Sequence, residues 1–250
     1  MRLQLSFSAS LLAAACLALC AGASAQAPAS SSQNSSSQSP APQSTAQQTT
    51  TASPAYVSID PLANVRYDNR WDASLGAAYA HIKAGPPPLQ QGANLGGLDL
   101  SASYWWSKHW AVEGTGRGYL GTSGAAVNDL SINGPFVSEY IFAAGPEWLG
   151  PHNKHGAVLA HALVGGAYGD FETDLRGNPP SAIGFFNNQM ALAAVIGGHI
   201  DLNRTPQLVF RISPDALYTR YGINYGNKAT YPYWNFGISV GVEYRFKKKR

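Results

Sequence analysis

The sequence predicts an all-β chain: a transmembrane antiparallel up-and-down β-barrel of eight strands, preceded by a signal peptide and a disordered tether. The first observation is the last strand. Trp234, Phe236, Ile238, Val240, Val242, Tyr244 and Phe246 point one way, and Asn235, Gly237, Ser239, Gly241, Glu243 and Arg245 the other. A period of two with an apolar face and a small or polar face belongs to a strand between two different media. Aromatics at both ends of the apolar face, with aliphatics between, match the interfacial girdles of a membrane strand. The second observation is composition. The chain is 45% hydrophobic and 12% charged over 250 residues, about half the charged fraction of an ordinary soluble domain. The third is that the connections between strands alternate in length, long then short.

The elements follow in order. Met1 and Arg2 make a short basic start, Leu11 to Ala21 an apolar stretch, and Ala23-Ser24-Ala25 a small-x-small cleavage site. Residues 1–25 therefore read as a secretory signal peptide. Both cysteines, Cys16 and Cys20, lie inside it, so the exported chain is expected to have no thiol or disulfide chemistry. Leu19 before Cys20, and Ala13 three before Cys16, disfavour lipidation. Losing Arg2 takes the formal charge from +3 to about +2, too small to suggest nucleic acid as a partner.

From 26 to 55 the sequence is Ser, Gln, Thr, Pro and Ala without a charge, which cannot offset its chain entropy by burial and reads as a disordered tether. Residues 56–70 are transitional, with Asp60-Pro61 as a turn signal. The expected barrel runs from 71 to 246, with strands at 71–83, 93–106, 110–121, 136–148, 156–169, 187–202, 207–221 and 233–246. Long polar connections, Ala84 to Gly92, Thr122 to Pro135, Asp170 to Phe186 and Gly222 to Pro232, alternate with short ones at 107–109, 149–155 and 203–206. That asymmetry is the mark of short periplasmic turns and longer external loops, with both termini periplasmic. Outside the leader the longest apolar run, Gly156 to Tyr168, is broken by His161 and falls short of the ~20 residues of a membrane helix. Any crossing is expected to use a closed barrel. A soluble lipocalin-like barrel would need the opposite pattern, apolar inside and polar outside.

Trp71 to Gly76, Ala144 to Glu147, His199 to Leu202, Arg211 to Tyr221 and the close at Gly241 to Phe246 resemble the small eight-stranded barrels of the OmpA and OmpX type. That family is the general outer-membrane β-barrel domain of diderm bacteria. Ser239, Gly241, Tyr244 and Phe246 are similar to its terminal insertion signal, polar-x-Gly-x-x-hydrophobic-x-aromatic. The resemblance implies an outer-membrane location, lipid around the wall, and the barrel assembly machinery as a partner during biogenesis. It implies no one activity, since the family includes adhesins, anchors and proteins of no known role. Two departures are that no peptidoglycan-binding domain follows the barrel and that Lys247 to Arg250, a basic tail, extends past the terminal aromatic.

Carrying the parity of the last strand backward puts Asp99, Glu113, Arg117, Glu139, Glu147, Arg211, Glu243 and Arg245 inside, with Asp215 and Arg220 left open because Pro214 can shift the register. An eight-stranded barrel is just wide enough for side chains to fill it, so mixed charges are expected to pair with one another. The alternatives are a narrow gated pore and, below it, acid–base catalysis by neighbouring carboxylates. Of six histidines, His152 and His155 sit three apart in a polar turn with no third ligand near in sequence, and read as solvated. The tryptophans at predicted strand ends read as interfacial anchors. A His-x-Ser motif of the lipid A deacylases is absent: Ala162-Leu163 follows His161, and Ile200-Asp201 follows His199.

The expected function is therefore non-enzymatic, a structural or surface-interaction role through external loops whose ligand the sequence does not name. A small-solute channel ranks second and a lipid-modifying barrel enzyme third. No catalytic, cofactor-binding or metal site is expected.

Overall fold

The computed structural model describes residues 60–88, 91–125, 130–223 and 229–247. The expected signal peptide, the tether, residues 56–59 and 248–250 lie outside the described residues. Eight strands, β1 (Trp71–Lys83), β2 (Gly92–Trp105), β3 (Trp110–Ser123), β4 (Phe136–His152), β5 (Gly156–Asp170), β6 (Gln189–Asn203), β7 (Leu208–Ile223) and β8 (Ala229–Arg245), follow one another around the wall. Each pairs antiparallel with the next, and β8 returns to β1, so the barrel is closed and has no free edge.

Alternation sets which side chains face out. Leu75, Leu98, Leu100, Phe142, Val164, Met190, Leu192, Phe236 and Val242 are exposed, a belt that water would penalise and hydrocarbon accommodates. Trp71, Trp106, Trp110, Trp148 and Tyr244 ring the end near the short turns, and Trp234 marks the other end. Trp105 is the exception among the tryptophans: its indole N–H donates to Asp72 Oδ2 at 2.6 Å, inside the wall.

Two stretches differ from expectation. β4 continues through Leu149 to His152 with a register shift against β5, where the sequence suggests a turn. β7 and β8 pair as far as Ile223 with Ala229, so most of the expected final loop is hairpin. Tyr221 and Tyr233 bury on its inner face, while Pro232 takes an exposed position opposite Arg220. Inward packing of the tyrosines outweighs the Gly and Pro turn signals.

The ends of the barrel are closed by segments that read as polar or featureless. At the loop end, residues 171–188 turn inward with a single 3-10 turn at Pro180–Ile183. Phe171, Leu175, Ile183, Phe185 and Phe186 join one apolar cluster with Ile82, Leu95, Tyr119, Ile141, Val195, Leu217 and Tyr221. Phe186 N–H donates to Ala84 C=O at 2.9 Å, and Gly85 lies so close to the Gly184 carbonyl that a Cβ would collide with it. At the turn end, residues 60–70 cross the opening. Tyr67, like Trp105, packs against the cluster of Leu149, Ala157 and Leu159, and the Arg245 guanidinium lies 4.5 Å from the Tyr67 ring centre. Farther out, Lys154 Nζ pairs with Asp60 at 3.0 Å; the Leu62 N–H and this ammonium hold the exposed Asp60 carboxyl below its usual range.

Residues of the expected terminal signal lie along the closing seam. Gly241 faces Gly76 across it, and a Cβ there would run into the Leu75 carbonyl. Phe246 N–H donates to Trp71 C=O at 3.0 Å, and its half-exposed ring meets Tyr244 edge-on. Phe246→Ala is expected to lower the amount of folded barrel, assayed as the unheated form that migrates apart from boiled protein in SDS gels, without lowering the exported amount. Equal folded amounts would assign the signal to residues beyond Phe246.

Candidate functional site in the barrel interior

The half of the interior nearest the loops is apolar; the half nearest the short turns is charged. Asp99, Glu113, Arg117, Glu139, Glu147, Arg211, Glu243 and Arg245 are all buried, because each stands on the face of its strand opposite the apolar belt. The structure adds Asp72, His161, His199, Asp201 and Asp215, also buried. Arg220 faces out and donates to Thr230 Oγ1.

These groups sort into layers. Near the turns, Arg211 holds Asp201 through Nε and one terminal nitrogen at 2.8 and 3.1 Å and also contacts Glu243. Arg245 bridges the same two carboxylates, 3.0 Å from Asp201 and 2.7 Å from Glu243, and donates to Asn203 Oδ1. Two guanidinium forks on two carboxylates form charge-assisted, partly bidentate bonds. At mid-height Arg117 lies 3.5 Å from Asp99 and 2.7 Å from Asp215, while Ser239 and Thr115 donate to Asp99 at 2.7 and 3.0 Å. Glu139 is set apart in the apolar half, where the Tyr221 hydroxyl donates to it at 2.8 Å.

Between these layers Glu113, on β3, meets His161 of β5 and His199 of β6. Glu113 Oε2 is 2.8 Å from His161 Nδ1 and 3.3 Å from His199 Nε2, and the two ring nitrogens are 3.1 Å apart. The outer nitrogens are held too: His161 Nε2 by Asp215 at 2.9 Å, His199 Nδ1 by Ser213 Oγ at 2.7 Å. Glu147 Oε1 lies 3.7 Å from His199 Nε2, and Glu147 accepts no hydrogen bond of ordinary length among the described residues. His152 and His155 remain exposed at the turn.

The sequence reading did not place His161, His199 or Asp201 inside, although a signal existed. The alternation it recognises in β6, with Met190, Leu192 and Ile196 outward, reaches His199 and Asp201 on the inner face. In β5, alanines and glycines on both faces hide the parity that puts His161 inside.

Chemically, Ser213, His199 and Glu113 stand in the order of nucleophile, base and orienting acid. The cavity beside Ser213 is only about 10 Å³, which leaves no room for an acyl substrate. The cavity between Asp72, Trp105, Arg211 and Arg245 is about 20 Å³, the space of about one water.

No protein-family model and no curated protein matches the chain. Among solved structures it is similar to the outer membrane protein OprG from Pseudomonas aeruginosa, with TM-score 0.50 and 15% identity over 72% of this chain and 97% of that one. The attachment invasion locus protein Ail of Yersinia pestis gives 0.42 and 18%, over 71% and 99%. Neisserial surface protein A gives 0.44 and 16%, over 70% and 97%. Identities this low speak to fold alone. By its closed ring of eight strands, its exposed apolar belt and its likeness to OprG, the chain is a transmembrane β-barrel with the fold of the small outer-membrane barrels.

Proposed function

We propose that the protein is an integral barrel of the outer membrane, with its termini in the periplasm, that acts without catalysis as a structural or surface-interaction element through its loop end. One observation carries this reading: the interior is filled along its height. Residues 171–188 cap the loop end with phenylalanines buried to 0% exposure, arginine–carboxylate pairs fill the turn half, and Tyr67 covers the opening below them. A pore needs a continuous wet path, and the two cavities between Asp72, Trp105 and Arg245 and beside Ser213 are the size of single waters.

Purified protein in a planar lipid bilayer is expected to give no steady ohmic current. A steady, ion-selective current from the folded form would put the channel reading first.

A further inference from the structure

Beyond that reading, we propose that Glu113, His161 and His199 form a binding site for a divalent transition-metal cation of the zinc type, with Glu147 as the fourth protein ligand. The site would be structural, clasping β3, β4, β5 and β6 in the turn half of the wall.

The geometry comes first. The three converging atoms, His161 Nδ1, His199 Nε2 and Glu113 Oε2, form a triangle with edges of 2.8, 3.1 and 3.3 Å. Zinc bound at about 2.0–2.1 Å to nitrogen and oxygen ligands separates them by about 3.3–3.4 Å in a tetrahedron. The triangle has a circumradius of about 1.8 Å, so a cation about 1 Å out of its plane sits at bonding distance from all three. Small outward shifts complete the fit.

The outer nitrogens supply the second argument. A metal-bound histidine usually donates its remaining N–H to a carboxylate or other oxygen, which fixes its tautomer and aim. His161 Nε2 meets Asp215 at 2.9 Å and His199 Nδ1 meets Ser213 Oγ at 2.7 Å. With those protons placed outward, the two inner nitrogens and Glu113 Oε2 present three lone pairs to one point. A single proton can bridge only two of them; a metal cation satisfies all three.

Charge is the third. Among the described residues the barrel buries eight carboxylates against three arginines, and those arginines are committed to Asp99, Asp201, Asp215 and Glu243. Glu113 and Glu147, both 0% exposed, are left to the histidines. Glu147 lies on the histidine side, 3.7 Å from His199 Nε2, with neither oxygen hydrogen-bonded at ordinary length among the described residues. His2Glu sets with a further carboxylate suit zinc and its neighbours better than the all-oxygen cations calcium and magnesium.

The test is to refold the protein in detergent with Zn²⁺ or Co²⁺, strip loosely held metal with a brief chelator wash, and measure metal per folded barrel. The expected result is about one Zn²⁺ retained, and for Co²⁺ the intense visible bands of a four-coordinate site. Retention should be lost in His161→Gln/His199→Gln and kept in His152→Gln/His155→Gln, whose histidines lie at the exposed turn. No retained metal in wild type, retention unaffected by the first pair, or loss with the second pair would each overturn the proposal. Should the first pair fail to refold, the wild-type Co²⁺ spectrum decides: weak six-coordinate bands overturn the site, and intense four-coordinate bands support it.

Discussion

Arg211→Ala should weaken the barrel by about 3 kcal/mol, the lower end of the range for breaking a buried ion pair. Arg211 is 4% exposed and holds Asp201 through two nitrogens while also touching Glu243. Its removal leaves two buried carboxylates leaning on Arg245 alone, which already contacts both. That remaining partner is why the loss falls at the lower end. Arg211→Lys should recover only part of it, because an ammonium cannot reproduce the planar fork. Lys154→Ala, which breaks a pair with both side chains about half exposed, should leave stability unchanged. Urea unfolding in micelles, followed by tryptophan fluorescence, separates these cases. An Arg211→Ala barrel as resistant as wild type would mean that the turn-half charges are solvated and the interior open.

Phe186→Ala is the second large effect, about 3–5 kcal/mol for emptying a buried aromatic site. The ring is fully buried and packs against Phe171, Tyr221, Tyr231 and Tyr233 at centroid distances of 5.9, 5.8, 6.2 and 6.1 Å. Its loss should free residues 171–188 from the mouth, so that protease nicks this loop in the variant faster than in wild type while the strands stay intact. Bilayer recordings of the variant should stay silent, because the charged layers and Tyr67 still fill the turn half. Unchanged protease resistance would show that the cap is held by other contacts and that Phe186 does not keep it shut.

Much of the wall was legible because a membrane strand writes its orientation into every second residue. The final strand shows this plainly: Trp234 to Phe246 fixes the inner face that carries Glu243 and Arg245. Legibility failed where alternation is diluted or where tertiary contact decides. His161 sits between alanines in a stretch, Val158 to Val164, whose aliphatics stand on both faces and give no preferred side. Asp215 follows Pro214, which suggested a slip that the register does not contain, since Pro214 pairs with Ile238 in step with its neighbours. The cap was hidden for another reason. Phe171, Leu175, Ile183, Phe185 and Phe186 are separated by Glu, Asp, Arg, Asn and Pro with no period, so only the three-dimensional mouth gathers them. Residues 60–70 likewise show no pattern, and Tyr67 finds its place through partners distant in sequence.

The contacts of Tyr67 bear on the order of assembly. Its hydroxyl donates to the Asn153 carbonyl at 3.0 Å and accepts from Asn203 Nδ2 at 2.8 Å, while Arg245 covers its ring. Asn153 lies between β4 and β5, Asn203 ends β6 and Arg245 ends β8, so no single hairpin carries the whole socket. The socket needs strands from β4 through β8 in place, and contacts this remote in sequence form late because their loops must close first. Tyr67 thus fits a latch that is thrown once the later strands are assembled, and the protection of residues 60–70 from a protease is expected to report that late stage of assembly.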